Sequence, residues 1–280
     1  MIYDFSRPGV ARKQALKVTV GKETTPFTDT ITVEEPLEIA VSDMHGQEVS
    51  AGIIMRTPVM DDCLAAGFLF TEGIVRSMDD ISAIEGIGSD GVSRGNSIKV
   101  TLAENIRLRP ENMGGRRYIN SSCGVCGKGS IDQVFMRAGK IQRSGFRVSA
   151  SVIASLPDAL WEKQGIFSST GGIHAAGLFS DDGSIVCSAE DVGRHNAVDK
   201  VIGRSLMNGY AFDQMILQVS GRAGFEIIEK AAVAGIPVIG SISAPSSLAV
   251  ETCETMGITL LGFVRGRSFN IYSGQQRIIV

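Results

Sequence analysis

The chain has 280 residues, 44% of them hydrophobic, enough to bury a sizeable core as two domains or one large one. A formal net charge of −3 excludes a broad nucleic-acid surface and leaves room only for a small, local basic pocket. No stretch approaches the ~18 apolar residues of a membrane span, and the opening MIYDFSRPGVARKQ has no apolar run to act as a signal segment, so the expected setting is the cytoplasm with no membrane partner.

The first hundred residues read as strands with one good helix. LKVTV, PLEIAVS and QEVSAGIIMRT carry β-branched, alternating patterns, and Pro58 opens a helical stretch through VMDDCLAAGFLF that ends at Gly73. Between Arg109 and Ser130 lie Pro110, Gly114, Gly115, Gly124, Gly127 and Gly129, too many breakers for an element interior. The expected organisation is therefore an α+β N-terminal domain over 1–115, a Gly-rich loop over 116–130 and an α/β domain over 131–280.

The second half opens with IDQVFMRA and a helix near ASVIASLPDALWEKQ, capped by serines around position 151 despite Pro157 inside the pattern. HAAGLFS and SIVCSAE flank Asp181-Asp182-Gly183, a hairpin turn. Then helix HNAVDKVIGRSLM, strand MILQVS, helix RAGFEIIEKAAVAG, strand PVIGSIS, helix SSLAVETCETMG and strand ITLLGFV alternate. Strands separated by single helices imply a parallel sheet with right-handed crossovers, and a ligand site beyond the carboxyl ends of its strands. The loops at those ends are DVGRHN, SGRAG, SAPSS and RGRS. Their glycines let backbone N–H groups approach an anion, Ser243 and Ser246 offer hydroxyls, and Arg194, Arg222, Arg265 and Arg267 can grip phosphate. One such loop alone is an ordinary connection with a capping serine and a solvated arginine; four on one edge point to a phosphate-bearing ligand.

His174 in STGGIHAAG and His195 in EDVGRHNAVDK follow Gly-rich turns among polar groups: Ser169 and Thr170 for one, Glu190, Asp191 and Arg194 for the other. A satisfied structural role competes evenly with a functional one, and Asp191 and Asp199 serve equally well as helix-start residues. Of the five cysteines, Cys63, Cys187 and Cys253 have apolar neighbours and read as buried structural residues. Cys123 and Cys126 sit in SSCGVCGKGS, where Lys128 supplies a cation that favours a thiolate. Such a pair allows a metal site, a dithiol redox pair or a sulfur carrier. A zinc site wants a second Cys-x-x-Cys or a histidine pair, and a zinc deaminase wants His-x-Glu before Pro-Cys-x-x-Cys; neither is present. A thioredoxin-like pair belongs at the first strand-to-helix junction of a small βαβ fold rather than in a mid-chain linker.

The blocks GFLFTEGI (67–74), SSCGVCGKGS (121–130), TGGIHAAG (170–177), EDVGRHNAVDKVIG (190–203), SGRAGFEIIEKAAVAGIPV (220–238), SAPSSLAVE (243–251) and GFVRGRSFNIY (262–272) together resemble the formate dehydrogenase accessory sulfurtransferases known as FdhD, over nearly the whole chain. The resemblance implies a cytidine-deaminase-like α/β/α layering of the C-terminal domain without its zinc chemistry, so no structural metal is expected. It implies a sulfur carrier that takes persulfide sulfur from a cysteine desulfurase and passes it to the molybdenum (or tungsten) bis-guanine-dinucleotide cofactor destined for formate dehydrogenase. By motif match Cys123 is the persulfide-bearing cysteine and Cys126 its partner, while Phe263, Val264, Arg265, Gly266, Arg267 and Ser268 form the cofactor-contacting stretch. Arg222 and the Ser243 loop would join them in holding pyrophosphate and guanine groups, with GDP as a surrogate ligand. A cofactor with two nucleotide arms suits a homodimer.

Overall fold

The computed structural model describes residues 2–3, 8–87, 95–108, 118–119 and 145–280. The N-terminal half holds strands β1 (Ile2–Tyr3), β2 (Val10–Lys17), β3 (Thr25–Thr32), β4 (Glu35–Ser42) and β5 (Glu48–Arg56), then helix α1 (Asp61–Thr71), then β6 (Ile81–Ile87), β7 (Ser97–Leu102) and β8 (Tyr118–Ile119). The second half runs β9 (Val148–Ser149), α2 (Ala150–Trp161), α3 (Gly165–Thr170), β10 (His174–Phe179), β11 (Ile185–Asp191), α4 (Arg194–Met207), β12 (Ile216–Val219) and α5 (Phe225–Ala234). It finishes with β13 (Val238–Ser241), α6 (Ser247–Met256), β14 (Thr259–Arg265), β15 (Ser268–Ser273) and β16 (Ile278–Ile279).

In the N-terminal half, a five-stranded sheet of order β6-β7-β4-β5-β8 buries Leu37, Ile39, Val41, Ile98, Val100 and Leu102 against Leu64, Ala65, Phe68 and Leu69 of α1. Asp61 and Asp62 favour the positive end of α1, and Gly73 at φ 72° ends it with Ile74 N–H donating to the Leu69 carbonyl at 2.8 Å, as the sequence pattern predicts. The expected strand at LKVTV lies earlier than predicted. β2 spans Val10–Lys17 because Val10 and Ala11 are buried and β3 fixes the register from Val10 opposite Thr32 to Lys17 opposite Thr25. Val18 and Val20, at the end of the apolar run, are exposed.

The second half is built on a six-stranded sheet of order β11-β10-β12-β13-β14-β15. The sheet is mixed: the alternating strands are parallel as expected, but the expected hairpin joins the same sheet and a further edge strand is added. β12, β13 and β14 pair in parallel, but β10 inserts antiparallel between β11 and β12, and β15 closes the far edge antiparallel to β14. The β10–β11 hairpin turns where expected, with Gly183 at φ 84° and Asp182 accepting from Ser184 N–H at 2.8 Å. One face of this sheet (Ala176, Leu178, Leu217, Val219, Ile239, Leu260) packs on α4, α5 and α6; the other (Phe179, Ile216, Val238, Leu261) packs on α2. The cap of α2 is Ser149, whose hydroxyl accepts from Ser151 N–H, and Pro157 sits inside the helix without ending it.

Helix α1 joins the halves. It is buried nearly all round, and its Gly67 meets Gly203 of α4 so closely that a Cβ at either glycine would overlap the Asp199 or Cys63 carbonyl oxygen. Two buried ion pairs lie at this seam. Asp199 binds Lys230 of α5 and accepts from Thr71 Oγ1 of α1 at 2.8 Å; Asp191 binds Lys200, whose Nζ also donates to the Thr57 carbonyl at 3.0 Å. The expected boundary segment 116–130 and the IDQVFMRA element lie outside the described residues, apart from β8, which pairs with β5.

Candidate functional site

Strands β11, β12, β13 and β14 run in one direction, so their carboxyl ends and the starts of β10 and β15 share one edge of the sheet. Backbone and hydroxyl bonds stitch the loops of that edge together. Ala223 and Pro245 form a bridge, Ser246 N–H donates to the Ala223 carbonyl at 3.1 Å, and Phe263 N–H donates to the Ser243 carbonyl at 3.1 Å. Ser241 Oγ donates to the Gly221 carbonyl at 2.7 Å and the Ser243 carbonyl at 3.0 Å. The structure therefore brings the Arg222, Ser243 and Phe263 segments into one continuous rim.

At the β14–β15 turn the register slips between Gly262 and Arg265, and Phe263 takes φ 54°. An aromatic residue in the left-handed region costs on the order of 1–2 kcal/mol and persists only where its surroundings impose it. The preceding Gly262 is hemmed in as well, since a side chain there would meet Tyr272 and Pro245. The Arg265 guanidinium lies 5.6 Å from the Phe263 ring centroid, a cation–π distance. Arg265, Gly266, Arg267 and Ser268 are exposed, as is Arg222, and Ser243 is half-buried. Val264, expected in the cofactor-contacting stretch, is instead wholly buried among Leu261, Phe146 and Ile153 and belongs to the core beneath the rim. No carboxylate pairs with Arg222, Arg265 or Arg267 among the described residues. Ser246, expected to offer its hydroxyl to a ligand, spends it as the cap of α6 by accepting from Ala249 N–H.

The EDVGRHN segment divides into structural and available groups. Glu190 accepts from Ile166 and Phe167 N–H, at 2.9 and 2.7 Å, and so caps α3. Asp191 accepts from Gly193 N–H, Asn196 Nδ2 and Thr57 N–H as well as Lys200. Asp199 lies in the middle of α4. The helix-start reading thus fails for Asp199, while Asp191 does steady the first turn of α4 through Gly193. Sequence alone misses these roles because their partners, Thr57, Lys230 and Thr71, are distant in the chain.

His195, Arg194, His174 and Glu226 remain at the rim. Glu226, in the first turn of α5, was not singled out from the sequence because it reads as an ordinary solvated position of an amphipathic helix. Its Oε2 lies 3.7 Å from His195 Nε2, which accepts from Arg194 Nε at 3.3 Å, and the pairing with His195, helped by the Glu226 N–H and the Arg194 charge, holds the carboxyl down at about 2. Burial, then the Arg194 and His195 charges, push His174 below its ordinary range against an opposing pull from Asp191, and the net direction favours the neutral imidazole. The N-caps of α4 and α5 are Gly193 and Gly224, which supply no side-chain cap, so both helices leave first-turn N–H groups at this edge.

Cys123 and Cys126 lie outside the described residues. The other three thiols are buried as expected, and burial raises Cys63 to about 12 and lifts Cys187 and Cys253 likewise, which disfavours thiolate chemistry there. Among the described residues no group of three or more His, Cys, Asp or Glu is placed to hold a metal. None of their helices is long and apolar enough to cross a membrane. A cavity of about 370 Å³ lined by Cys253, Glu254, Tyr272 and Gln275 opens at the opposite edge of the sheet, away from the arginines. The rim, not that cavity, has the chemistry expected of the ligand site.

Fold and rim thus define a mixed α/β protein with an anion-suited strand edge. A Desulfotalea psychrophila chain, provisionally assigned as a formate dehydrogenase accessory protein, shares this fold with a TM-score of 0.75 and 24% identity, over 97% of this chain and 100% of that one. Residues 32–279 match the FdhD/NarQ family, to which this chain belongs. A relative from Thermoplasma volcanium, sulfur carrier protein FdhD, is 53% identical over 253 residues and 90% of each chain. The protein of the same description from Streptomyces coelicolor is 43% identical over 273 residues and 95% of each chain.

Proposed function

We propose that this chain is a sulfurtransferase of formate dehydrogenase maturation: a carrier that takes persulfide sulfur from a cysteine desulfurase and delivers it to the molybdenum (or tungsten) bis-guanine-dinucleotide cofactor, which it binds as cargo. The observation that carries the reading is identity of 43–53%, over nine-tenths or more of both chains, to proteins called sulfur carrier protein FdhD. In this reading the Cys123 thiolate bonds to the outer sulfur of the desulfurase persulfide, and the inner sulfur leaves as the desulfurase thiolate. Cys126 is the partner thiol, and the Gly-rich composition around the pair suits a thiol that visits two partners.

The cargo's phosphates fall to Arg222, Arg265 and Arg267, with Ser243, Ser268 and the backbone at Gly266 as hydrogen-bonding neighbours, Phe263 as an apolar face and Val264 as the buried support beneath it. The support is physical: exposed guanidinium groups without carboxylate partners among the described residues, and backbone strain at Phe263. The same reading includes domains over 1–115 and 131–280 joined by 116–130, cytidine-deaminase-like layering, a homodimer and a cytoplasmic setting. Helices on both faces of the six-stranded sheet support the layering. Cys123→Ala tests the transfer itself. It is expected to keep GDP binding and to lose support of formate dehydrogenase activity; full support from that variant would make the chain a cofactor chaperone instead.

A further inference from the structure

We propose that Glu226 reads the guanine base of the cargo's nucleotide arm, its carboxylate accepting from the base's N1–H and N2 amino groups. The inference rests on the proposed binding of a guanine dinucleotide at the rim and supplies what that reading lacks. Arginines and helix N-termini grip phosphate whatever base it carries. Telling guanine from adenine takes a group matched to the base edge. Guanine presents two adjacent donors there, which a carboxylate with two acceptor oxygens meets in a bidentate pair; adenine presents an acceptor at N1, which a carboxylate repels.

Three carboxylates lie in the loops and helix starts of the rim: Glu190, Asp191 and Glu226. Glu190 has both oxygens engaged by the backbone of α3, and Asp191 is wholly buried and held by Lys200, Asn196 and backbone donors. Neither can turn to a ligand without unmaking the fold. Among the described residues Glu226 is approached by His195, its own N–H and the Arg194 charge, without the several backbone donors that lock Glu190 and Asp191, and its side chain keeps 16% exposure. It stands in the first turn of α5, two residues past Gly224 and next to the loop that carries Arg222 and is tied through Ala223 and Pro245 to the Ser243 segment and so to Phe263. The base reader and the phosphate grips therefore belong to one continuous rim. His195 restrains the carboxylate from the α4 side.

The test is calorimetric titration of the full chain with GDP, IDP and ADP, for the native protein and Glu226→Gln. IDP lacks the N2 amino group and is expected to fall between the other two. Native protein is expected to favour GDP over ADP by on the order of tenfold or more, the discrimination of one good bidentate pair. In Glu226→Gln the ratio is expected to collapse or invert, because an amide donates to adenine N1 and accepts from its N6 amino group. Inorganic pyrophosphate should bind both proteins equally, which also reports an intact fold. An unchanged GDP-to-ADP ratio, or an equal loss for all three nucleotides as a merely structural role predicts, overturns the inference. Native protein that binds no guanine nucleotide overturns the underlying reading instead, so the two failures are distinct.

Discussion

Glu226 stabilises the fold through His195, and the sign of its pH dependence follows from that pairing. Its carboxyl is held at about 2 against an ordinary 4.5, so its contribution is complete above that ordinary value and fades as pH falls toward 2. Glu226→Gln is therefore expected to lose less stability than the native chain through this window, read as urea midpoints at about pH 5 and about pH 3. Equal acid sensitivity of the two proteins would mean the pairing contributes nothing. At this scale the sequence was only partly legible. EDVGRHN stood out, but its spacing could not separate Glu190 and Asp191, consumed by Ile166, Phe167, Lys200 and Thr57, from Arg194 and His195, which remain at the rim. Thr57 is 134 positions from Asp191, and no local pattern carries that distance.

Among the elements, α1 and α4 depend on glycines for their contact. Alanine within a helix ordinarily gains about 0.5–1 kcal/mol over glycine. Here a methyl group would overlap a carbonyl oxygen of the facing helix, and forcing such overlap costs about 1–3 kcal/mol, so the clash outweighs the propensity. Gly67→Ala and Gly203→Ala should each lower the unfolding midpoint, measured by thermal or urea denaturation; a raised midpoint in either would show that the helices part cheaply. Alternating apolar and polar runs made β4, β5, α1 and the β12-to-β14 alternation readable in advance. TPFTDTIT gives no such signal, because β3 is largely exposed and is fixed by its pairing with β2. The β15 strand was hidden for a different reason: Ser268–Ser273 continues a ligand-suited loop and alternates weakly, and only its pairing with β14 makes it a strand.

In the whole molecule, a net charge of −3 coexists with a rim carrying Arg222, Arg265 and Arg267. Such a local field attracts an anionic ligand without making the protein sticky to nucleic acid in general. The shared edge was inferable from the order of strands and helices, since parallel crossovers place successive loops together. The inserted antiparallel β10 was not, because only pairing reveals it. The cysteine pair falls between β8 of the first sheet and β9 at the start of the second half, and the family blocks on both sides give it meaning. The central claim is that Cys123 carries sulfur between two partners. Mass spectrometry of the chain after incubation with a cysteine desulfurase and cysteine tests it most directly. One added sulfur atom on the Cys123 peptide, absent in Cys123→Ala, is the expected result. An unmodified Cys123 peptide, or added sulfur on Cys63, Cys187 or Cys253 instead, would contradict it.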